Sequence, residues 1–434
     1  MTQDVFDLSS DEIPKKWYNI IPDLPNRFPS YRDDETGNEI RRLPETFTKA
    51  ASELEFSTER WIDIPDDVIS NYIHRGRPTP LIRARRLETH LNTLAKIFYK
   101  CEDLPPGGTF KLNTAIPQAY WAMKEGFSRT IIGGSAATRT KFLHASAANT
   151  FGLVPTIIMT REECLRNKEQ VFFLKRMFEA DLIESPSNQT EVGRKFLKEN
   201  PHHPGSASIR DQEIAEIAKR SEDTIAVMSS FLNHILTTQT IIGLEAERQL
   251  ELANEKPDIL VTSVGSGSHF FGLIAPFMKR HLSNELKDVR FLAVEAEASS
   301  KLTNGVYDYT TRQGPLSGVS VKAYKLEWKT HPAPISGMGI QTRNTAPLLS
   351  FLRHKGLIET RVYPNDERSI REAASIFLRT EGRLLAPESA YAIRGVIDEA
   401  LEAKKRNQTP VIVVSISGAT YLDFEEKRIY ARIE

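Results

Sequence analysis

The sequence predicts an α/β protein with mainly parallel sheets, and three observations support that prediction. From about residue 95, short apolar runs without polar alternation recur along the chain, and stretches with helical spacing separate them. Continuous apolar strands that alternate with helices are typical of a parallel sheet covered on both faces. The chain has 434 residues, enough for about two or three domains at roughly 150 residues each.

The predicted elements follow in chain order. Residues 111–124 have helical spacing, because Ile116, Ala119 and Met123 fall on one stripe. The predicted strands are KIFYKCED with its loop (96–103), TIIGG (130–134), VPTIIMT (154–160), AVMSSF (226–231), DILVTSVGSGS with its loop (258–268), VRFLAVEA (289–296) and PVIVVSISG (410–418). The other predicted helices cover 163–180, the stretch after 231 up to Leu250, and 269–279.

Residues 1–60 are predicted to be an N-terminal extension. They are rich in Pro, Asp and Arg, but they also contain Trp17, Tyr18 and the pair Ile20–Ile21. A segment that stays free in solution has few aromatic residues. We therefore expect this extension to dock on the rest of the chain.

Composition excludes several classes of protein. Lys plus Arg and Asp plus Glu each number 57, so the formal net charge is zero, which argues against a nucleic-acid-coating or polybasic membrane protein. The two cysteines, Cys101 and Cys164, provide neither a disulfide framework nor a zinc cage. No secretory signal and no apolar run of roughly 20 residues is visible. We expect a cytoplasmic protein without a metal, since His202, His203 and His269 lack metal-ligand spacing.

A small-residue segment, GSGSH, follows one predicted strand and opens a helix. Backbone N–H groups at such a helix start attract a phosphate. The dinucleotide fingerprint fails because position 270 is Phe270, and the nucleotide P-loop fails because no lysine follows Gly267. The segment therefore indicates a phosphate-monoester cup, and the alternative is a tight turn without a ligand. The cup residues are Gly265, Ser266, Gly267, Ser268 and His269.

Two further residues have a candidate chemical role. Lys111 stands at a predicted helix start, where the helix dipole disfavours its charge. A buried lysine with a lowered pKa can bond to a carbonyl, although a lysine in solvent is the alternative. Ser417, beside Gly418 at a strand end, can donate to a ring nitrogen or serve only as a turn residue.

Several segments together resemble the tryptophan synthase β-chain family, in its second, longer type. These segments are WYNIIPDLP, GRPTPLIRA, HHPGS, LNHILTTQTIIGLEA, TAPLLS, RTEGRLLAPESAYAI and VIDEAL, in the family's order between about residues 10 and 424. The resemblance implies a fold type II pyridoxal-phosphate enzyme with two three-layer α/β domains. It also implies that 61–109 joins the C-terminal domain (238–434), and that the N-terminal domain (110–237) contains a mobile substrate-closing subdomain at about 126–222.

The resemblance assigns roles to single residues. Lys111 would hold the cofactor as a Schiff base and move the α-proton, and Asn113 would lie near the cofactor's phenolic oxygen. The cup would hold the phosphate, Ser417 would face the ring nitrogen, and Glu381 would be an acidic residue that lines the cofactor. The loop that binds the substrate carboxylate would consist of Gly134, Ser135, Ala136, Ala137, Thr138 and Arg139.

The chain departs from the family mainly around the substrate. Gly133 stands where the family has a catalytic glutamate, Phe110 replaces a histidine, Ser266 a glycine and His269 an asparagine. Loss of a general acid typically costs about 10² to 10⁴ in rate. We therefore expect altered specificity within a β-replacement reaction on serine or an O-activated serine. An anionic or already activated substrate group would suit the cations Arg139 and Lys141, and Glu381 is an alternative replacement for the lost carboxylate.

Two other functions stay open at this point. One is a pyridoxal-phosphate-dependent lyase or deaminase that releases a keto acid, and the other is a non-catalytic cofactor-binding partner protein. For the leading function we expect an amino-acid substrate, a nucleophilic co-substrate and a homodimer, without nucleic acid or membrane. The N-terminal extension would cover the face on which an α-chain docks, so a stand-alone enzyme is favoured. The resemblance also implies a monovalent cation near the cofactor.

Overall fold

The structure is a computed structural model that describes residues 3–133, 138–312, 314–327 and 333–420. Elements are numbered in chain order. The strands are β1 (Val5–Phe6), β2 (Lys16–Tyr18), β3 (Arg32–Asp33), β4 (Trp61–Asp63), β5 (Leu81–Arg83), β6 (Lys96–Lys100), β7 (Arg129–Gly133), β8 (Val154–Thr160), β9 (Asp181–Ser185), β10 (Thr224–Ala226), β11 (Ile259–Ser263), β12 (Arg290–Ala296), β13 (Val306–Thr311), β14 (Val319–Lys325), β15 (Glu359–Tyr363) and β16 (Val411–Ser415).

The helices connect these strands and cover the sheets. They are α1 (Lys49–Glu55), α2 (Asp66–His74), α3 (Arg85–Leu91), α4 (Leu112–Lys124), α5 (Thr138–Thr150), α6 (Arg161–Arg166), α7 (Lys168–Met177), α8 (Glu191–Glu199), α9 (Ala207–Arg220), α10 (Asn233–Gln239), α11 (Ile241–Leu252), α12 (Ser268–Leu282), α13 (Lys301–Asn304), α14 (Pro347–His354), α15 (Arg368–Glu381) and α16 (Pro387–Lys405). No described helix has the length and apolar character that crossing a bilayer requires.

Two sheets form the framework, and both are mainly parallel. The larger has seven strands in the order β1-β5-β6-β16-β11-β12-β15, and the smaller has four in the order β10-β7-β8-β9. Strands β6, β16, β11, β12 and β15 run parallel, whereas β1 and β5 are antiparallel additions at one edge. All pairs in the smaller sheet are parallel. The predicted α/β fold with mainly parallel sheets is therefore confirmed.

Apolar sequence explains why the central helices are buried. Residues 268–278 of α12 are all buried, and most are apolar, as is typical of a helix in the interior of a large protein. Gly272 allows α12 to approach α10, because a Cβ at this position would lie 2.5 Å from the carbonyl oxygen of Gln239. The start of α12, which carries the predicted cup, is thereby fixed in the core.

The N-terminal extension docks as its aromatic residues predict. Trp17 and Tyr18 on β2 are fully buried, and β2 pairs with β4 in a two-stranded sheet. The Tyr18 backbone N–H donates to Thr240 Oγ1 at 3.0 Å, and the Trp17 ring contacts Trp121 edge-on. Burial of such large side chains stabilises by roughly 2 kcal/mol or more each, which holds the extension on the helical layer.

Three predicted elements differ in detail from the structure. The strand expected at 226–231 overlaps β10 (Thr224–Ala226) only at Ala226. The expected strand could not have extended through Phe231, because that residue adopts a positive φ of 90°. The helix expected at 163–180 is divided into α6 and α7, since Asn167 leaves the helical conformation. The helix expected up to Leu250 is likewise divided into α10 and α11.

Candidate active site

A cavity of about 880 Å³ is lined by residues that follow strands of both parallel sheets. Gly133 ends β7, residues 265–269 follow β11, and Ser417 follows β16. Lys111 and Glu388 face the same cavity. Ligands of open α/β sheets bind beyond the carboxyl ends of the strands, so the strand-end segments identified in the sequence meet at one candidate site.

Lys111 is the amine of this cavity. It directly precedes α4, and its Nζ donates to the carbonyl oxygen of Ser229 at 2.8 Å. Its ammonium also lies 4.7 Å from the centroid of the Phe110 ring. Burial lowers the pKa of Lys111 to about 8, against the opposing charge of Glu388. A substantial neutral fraction near physiological pH is what a nucleophilic lysine requires.

The cup segment forms the turn between β11 and α12. Gly267 has a φ of +98°, in the left-handed region, and a Cβ there would lie 2.2 Å from Leu349 Cδ2. Only glycine adopts this conformation without strain in so small a space. The first N–H groups of α12 have no carbonyl partner within the helix, and they point to the cavity end of the element. The turn therefore has the geometry of an anion site.

His269 anchors the cup from within the core. Its Nδ1 lies 3.1 Å from Thr262 Oγ1, and its Nε2 lies 2.9 Å from Ser415 Oγ. Burial lowers the pKa of His269 to about 3. The imidazole is therefore neutral at physiological pH, and it ties the cup to the ends of the two adjacent strands β11 and β16.

Ser417 is a buried residue that lines the cavity. Its Oγ lies 3.0 Å from Ser389 Oγ. Ser389 Oγ also lies 3.1 Å from the carbonyl oxygen of Gly418 and accepts the Gly418 N–H at 3.1 Å. These contacts fix the orientation of the Ser417 hydroxyl, and a fixed hydroxyl can donate to an aromatic ring nitrogen.

Asn113 does not line the cavity. Its side chain is buried one layer behind Lys111, and its Nδ2 donates to Glu102 Oε2 at 3.2 Å and to Gln239 Oε1 at 3.0 Å. Glu102 and Gln239 therefore engage the carboxamide, and the position of Asn113 near the cofactor's phenolic oxygen stays a prediction.

The expectation that Glu381 lines the cofactor is corrected. Glu381 ends α15, and its Oε1 accepts the backbone N–H of Leu87 at 2.8 Å. It is not among the residues that line the cavity. Gly382 follows with a φ of +71°, ends the helix and turns the chain, so the next helix and not Glu381 reaches the site.

Glu388, which sequence reasoning missed, is a carboxylate of the cavity wall. It lies in the first turn of α16, where a negative charge is favoured by the helix dipole. Its Oε1 accepts the Gly339 N–H at 2.7 Å, and its Oε2 lies 3.5 Å from the guanidinium of Arg139. The signal for it stood in the segment RTEGRLLAPESAYAI, where Pro387 marks a helix start immediately before Glu388.

A side chain at Gly133 would have to displace the ends of two side chains at this corner of the cavity. A Cβ at Gly133 would lie 2.4 Å from Ile214 Cδ1 and 3.0 Å from Cδ and Nε of Arg210. Both residues belong to α9. Where the family resemblance expects a glutamate, this chain therefore has an isoleucine side chain and a guanidinium.

Two arginines lie at this corner, together with the carboxylates of Glu163 and Asp211. Arg210 pairs with Asp211 at 3.0 Å and lies 3.8 Å from Glu163. The Arg312 guanidinium stacks 4.4 Å from the Phe231 ring centroid and has no hydrogen bond or ion pair with another residue of the described ranges. Burial lowers the pKa of Arg312, and the charge of Asp211 opposes that effect. An arginine nevertheless stays charged at physiological pH.

The predicted carboxylate-binding loop is only partly described. Its first four residues, 134–137, lie outside the described residues, and α5 begins at Thr138. Arg139 is buried, and its guanidinium donates to the carbonyl oxygen of Ala419 at 2.7 Å and pairs with Glu388. Lys141 is buried 3.9 Å from Glu163 and does not line the cavity. Arg139, Arg210 and Arg312 therefore line the cavity, whereas Lys141 does not.

Sequence comparison identifies a family and several related chains. The family model "Pyridoxal-phosphate dependent enzyme" matches residues 73–418. The tryptophan synthase beta chain 2 of Methanothermobacter thermautotrophicus is 40% identical over 420 residues, which cover 96% of each chain. The protein of the same name from Aeropyrum pernix is 40% identical over 431 residues, 98% of this chain and 94% of that one. That from Thermotoga maritima is 40% identical over 423 residues, 96% and 98% of the two chains.

Solved structures with the same fold are more distant in sequence. The processed form of threonine deaminase isoform 2 from Solanum lycopersicum matches with a TM-score of 0.61 at 17% identity, and covers 84% of this chain and 91% of that one. A second threonine deaminase, from T.th., matches with a TM-score of 0.53 at 17% identity, over 81% and 97% of the two chains. At this identity the likeness concerns the fold alone.

Proposed function

The chain belongs to the pyridoxal-phosphate-dependent enzymes, within the tryptophan synthase β-chain family, and from this premise we propose that it catalyses β-replacement on L-serine or an O-activated serine. It is a fold type II lyase whose cofactor is pyridoxal phosphate and whose substrate is an amino acid. In the proposed reaction the β-substituent leaves and a nucleophile takes its place. The proposed difference from the family's usual reaction lies in which substituent leaves and which nucleophile is added.

The cavity residues fit this cofactor. The cavity combines an amine of lowered pKa at Lys111, a glycine-containing turn at a helix N-terminus for a phosphate, and an oriented hydroxyl at Ser417. Pyridoxal phosphate, when bound, supplies an electron sink for charge that develops at the α-carbon of an amino acid. We assign residues 265–269 to its phosphate and the Lys111 amine to its aldehyde carbon.

Lys111 and Ser417 have distinct proposed tasks. The neutral Lys111 amine would take the proton from the substrate α-carbon, and the nearby charge of Glu388 favours its protonated form afterwards. The Ser417 hydroxyl would donate a hydrogen bond to the ring nitrogen without giving up its proton. A neutral partner leaves that nitrogen largely unprotonated, which favours expulsion of a β-substituent over transamination.

The surroundings of Gly133 support the proposal that the enzyme prefers a different leaving group on its amino-acid donor. A carboxylate at this position would help a hydroxyl group leave by supplying a proton. Ile214 and Arg210 occupy the space instead, and Arg312 adds a second cation to the same wall. Cations stabilise a group that leaves as an anion, such as phosphate or acetate, without proton donation. The donor we propose is accordingly an O-activated serine.

The reaction is tested by product analysis of the purified holoenzyme. L-serine, O-phosphoserine and O-acetylserine are each supplied with indole and with thiol and amine nucleophiles. We expect a new β-substituted amino acid and the highest kcat/KM with an O-activated donor. Production of keto acid alone would contradict β-replacement and support a deaminase, and turnover of L-serine only would contradict the assigned leaving group.

An arginine variant tests the leaving-group assignment directly. Arg210→Gln removes the cation but keeps a polar side chain beside Gly133. We expect kcat/KM for O-phosphoserine to fall roughly tenfold or more, because a hydrogen bond to a charged group contributes about 1.5–3 kcal/mol, and that for L-serine to change much less. Arg220→Gln, at the exposed end of the same helix, is the matched control. An equal loss for both donors would contradict the assignment.

We further propose that the enzyme is a stand-alone homodimer and that residues 126–222 close over the substrate. The buried β2 strand, which covers part of the helical layer, supports the absence of an α-chain at that face. Analytical ultracentrifugation with and without a candidate α-chain tests the assembly. Hydrogen exchange of the holoenzyme with and without substrate tests closure, and protection confined to regions outside 126–222 would contradict it.

A further inference from the structure

Lys301 is a fully buried lysine that lies behind the candidate active site. It is the first residue of the short helix α13, and its side chain has no exposed surface. It does not line the cavity. A lysine is rarely buried completely unless its charge has partners, so the surroundings of its ammonium group indicate its purpose.

Oxygen atoms surround the Lys301 ammonium. Its Nζ donates to the carbonyl oxygens of Val264 at 3.1 Å and Ser299 at 3.0 Å, and to Ser299 Oγ at 3.2 Å. These three acceptors match the three N–H donors of an ammonium group. Glu295 Oε1 lies 3.8 Å away, and both Glu295 oxygens also accept N–H groups at the start of α13. The positive charge is therefore held mainly by neutral oxygens and balanced at longer range by one carboxylate.

The oxygens that Lys301 binds belong to the walls of the cavity. Val264 immediately precedes the cup, so its carbonyl group is part of the cup's own backbone. Ser299 Oγ donates to the carbonyl oxygen of Ile340 at 2.7 Å and accepts the Thr342 N–H at 3.1 Å. Ile340 and Thr342 line the cavity. Lys301 thus joins the cup to residues 339–342, which we call the wall segment.

The wall segment is also in direct contact with the cup and with the cavity carboxylate. A Cβ at Gly265 would lie 2.5 Å from the carbonyl oxygen of Gly339, and the Gly339 N–H donates to Glu388 at 2.7 Å. A shift of Val264 or Ser299 therefore moves the cup against Gly339. The ammonium of Lys301 therefore binds backbone on both sides of this contact.

The Lys301 amine keeps its positive charge, although burial removes that charge from water. Burial lowers the pKa of Lys301 to about 8, and Glu295 opposes the shift, so the amine is mostly protonated at pH 7. An apolar side chain of similar length would avoid that desolvation, but it would leave the carbonyl oxygens of Val264 and Ser299 without this donor.

We infer that Lys301 is a built-in monovalent cation that positions the phosphate cup. Backbone carbonyl oxygens can replace the hydration shell of K⁺, and an ammonium group has nearly the same size and charge as that ion. Lys301 is a positioning residue, since it acts on the cofactor through Val264 and Ser299. An external cation is then not needed at these oxygens. This inference rests on the cofactor assignment made above.

The first test uses the wild-type protein freed of its cofactor. The dissociation constant of pyridoxal phosphate is measured in tetramethylammonium, potassium and ammonium chlorides at equal ionic strength, together with the melting temperature of the cofactor-free chain. We expect the same dissociation constant and melting temperature in all three salts. Tighter binding or a higher melting temperature in K⁺ or NH₄⁺ would overturn the inference, because it would reveal a site for an external ion.

The second test removes the tethered cation. In tetramethylammonium chloride, Lys301→Ala should weaken cofactor binding on the order of 10- to 100-fold, as loss of an outer-shell group typically does. NH₄⁺ or K⁺, which fit the vacated space, should restore most of the affinity. Lys287→Ala, which removes an exposed lysine, is the control for general salt effects and should respond to none of the ions.

Two outcomes of the variant experiment would overturn the inference. One is a folded Lys301→Ala protein, by circular dichroism, with wild-type affinity, and the other is a weakened affinity that neither ion restores. Lys301→Met keeps the aliphatic length but fills the space, so it should be weakened and not rescued. If Lys301→Ala does not fold, the wild-type salt series and Lys301→Met decide the question. Failure of the wild type to bind pyridoxal phosphate in any salt would instead contradict the proposed function.

Discussion

The ring of Phe110 lies on the imidazole of His269, with 4.5 Å between the ring centroids and 33° between the ring planes. Phe110 directly precedes the amine at Lys111, and His269 ends the cup. Phe110 and His269, two of the positions at which the resemblance predicts a departure from the family, are therefore partners of each other. Their contact joins the segment that carries the amine to the segment assigned to the phosphate.

Acid should destabilise the folded protein through His269. The unfolded side chain binds a proton near pH 6.5, whereas burial lowers the pKa of the folded one to about 3. The unfolded state therefore binds more protons between these values, so the stability contributed above pH 6.5 is lost as the pH falls toward 3. We expect a loss of up to about 1.4 kcal/mol per pH unit from this group.

Urea unfolding between pH 7 and 4 measures this slope. His144, which burial likewise holds to a pKa of about 3, adds a similar contribution. His269→Asn should reduce the dependence of the unfolding free energy on pH, and the part that remains should come from His144. A slope unchanged in His269→Asn would show that the imidazole does not carry the predicted linkage.

Lys111→Ala should abolish covalent attachment of the cofactor and reduce the rate by at least about 10² to 10⁴, the range typical for loss of a general acid–base group. The visible absorbance of the covalently held cofactor and trapping by borohydride report attachment, and product formation reports the rate. Lys124→Ala, at the exposed end of the same helix, is the control. A Lys111→Ala protein that keeps wild-type function would support the non-catalytic binding protein instead.

The rate of cofactor uptake should increase with pH. The neutral amine attacks an aldehyde, and the pKa of Lys111 is lowered to about 8, so the neutral fraction rises from about one tenth at pH 7 to about nine tenths at pH 9. Stopped-flow absorbance of the cofactor-free protein mixed with pyridoxal phosphate gives this profile. A midpoint near the ordinary lysine pKa of 10.5 would contradict the proposed burial effect.

A glutamate introduced at position 133 should be unfavourable. Gly133→Glu introduces a Cβ into the space of Ile214 Cδ1, and overpacking of this kind typically costs about 1–3 kcal/mol. Ile214→Ala removes the obstructing atom, so the cost of Gly133→Glu should be smaller in that background. A double-mutant cycle of unfolding free energies measures this coupling, and strictly additive effects would show that Ile214 does not exclude the side chain.

Much of the site was predictable because its residues follow strands. The apolar runs before Gly133, Gly265 and Ser417 identify parallel strands, and the carboxyl ends of parallel strands in the two sheets open on one cavity. The left-handed turn at Gly267 and the helix start after it are likewise local in the chain. The pattern of neighbouring residues is enough to predict these positions, because ligands of parallel sheets bind beyond the carboxyl ends of the strands.

Other features depend on contacts between residues far apart in the chain. Glu381 and Glu388 occur in one short segment, yet only Glu388 faces the cavity, because α15 ends at Gly382. Pairing of Arg139 with Glu388 and the engagement of Asn113 by Gln239 each join separate elements. Side-chain spacing along one element does not specify such pairs, since they arise from the packing of one element on another.

The residues alone predicted the α/β class and the family, and they identified Lys111, the cup and Ser417 as candidates, because each of these depends on a short run of residues. Packing in three dimensions was needed to bring Ile214 and Arg210 beside Gly133, and to place the ammonium of Lys301 on the carbonyl oxygen of Val264. Such contacts are set by close packing and burial, because each atom's neighbours come from remote parts of the chain.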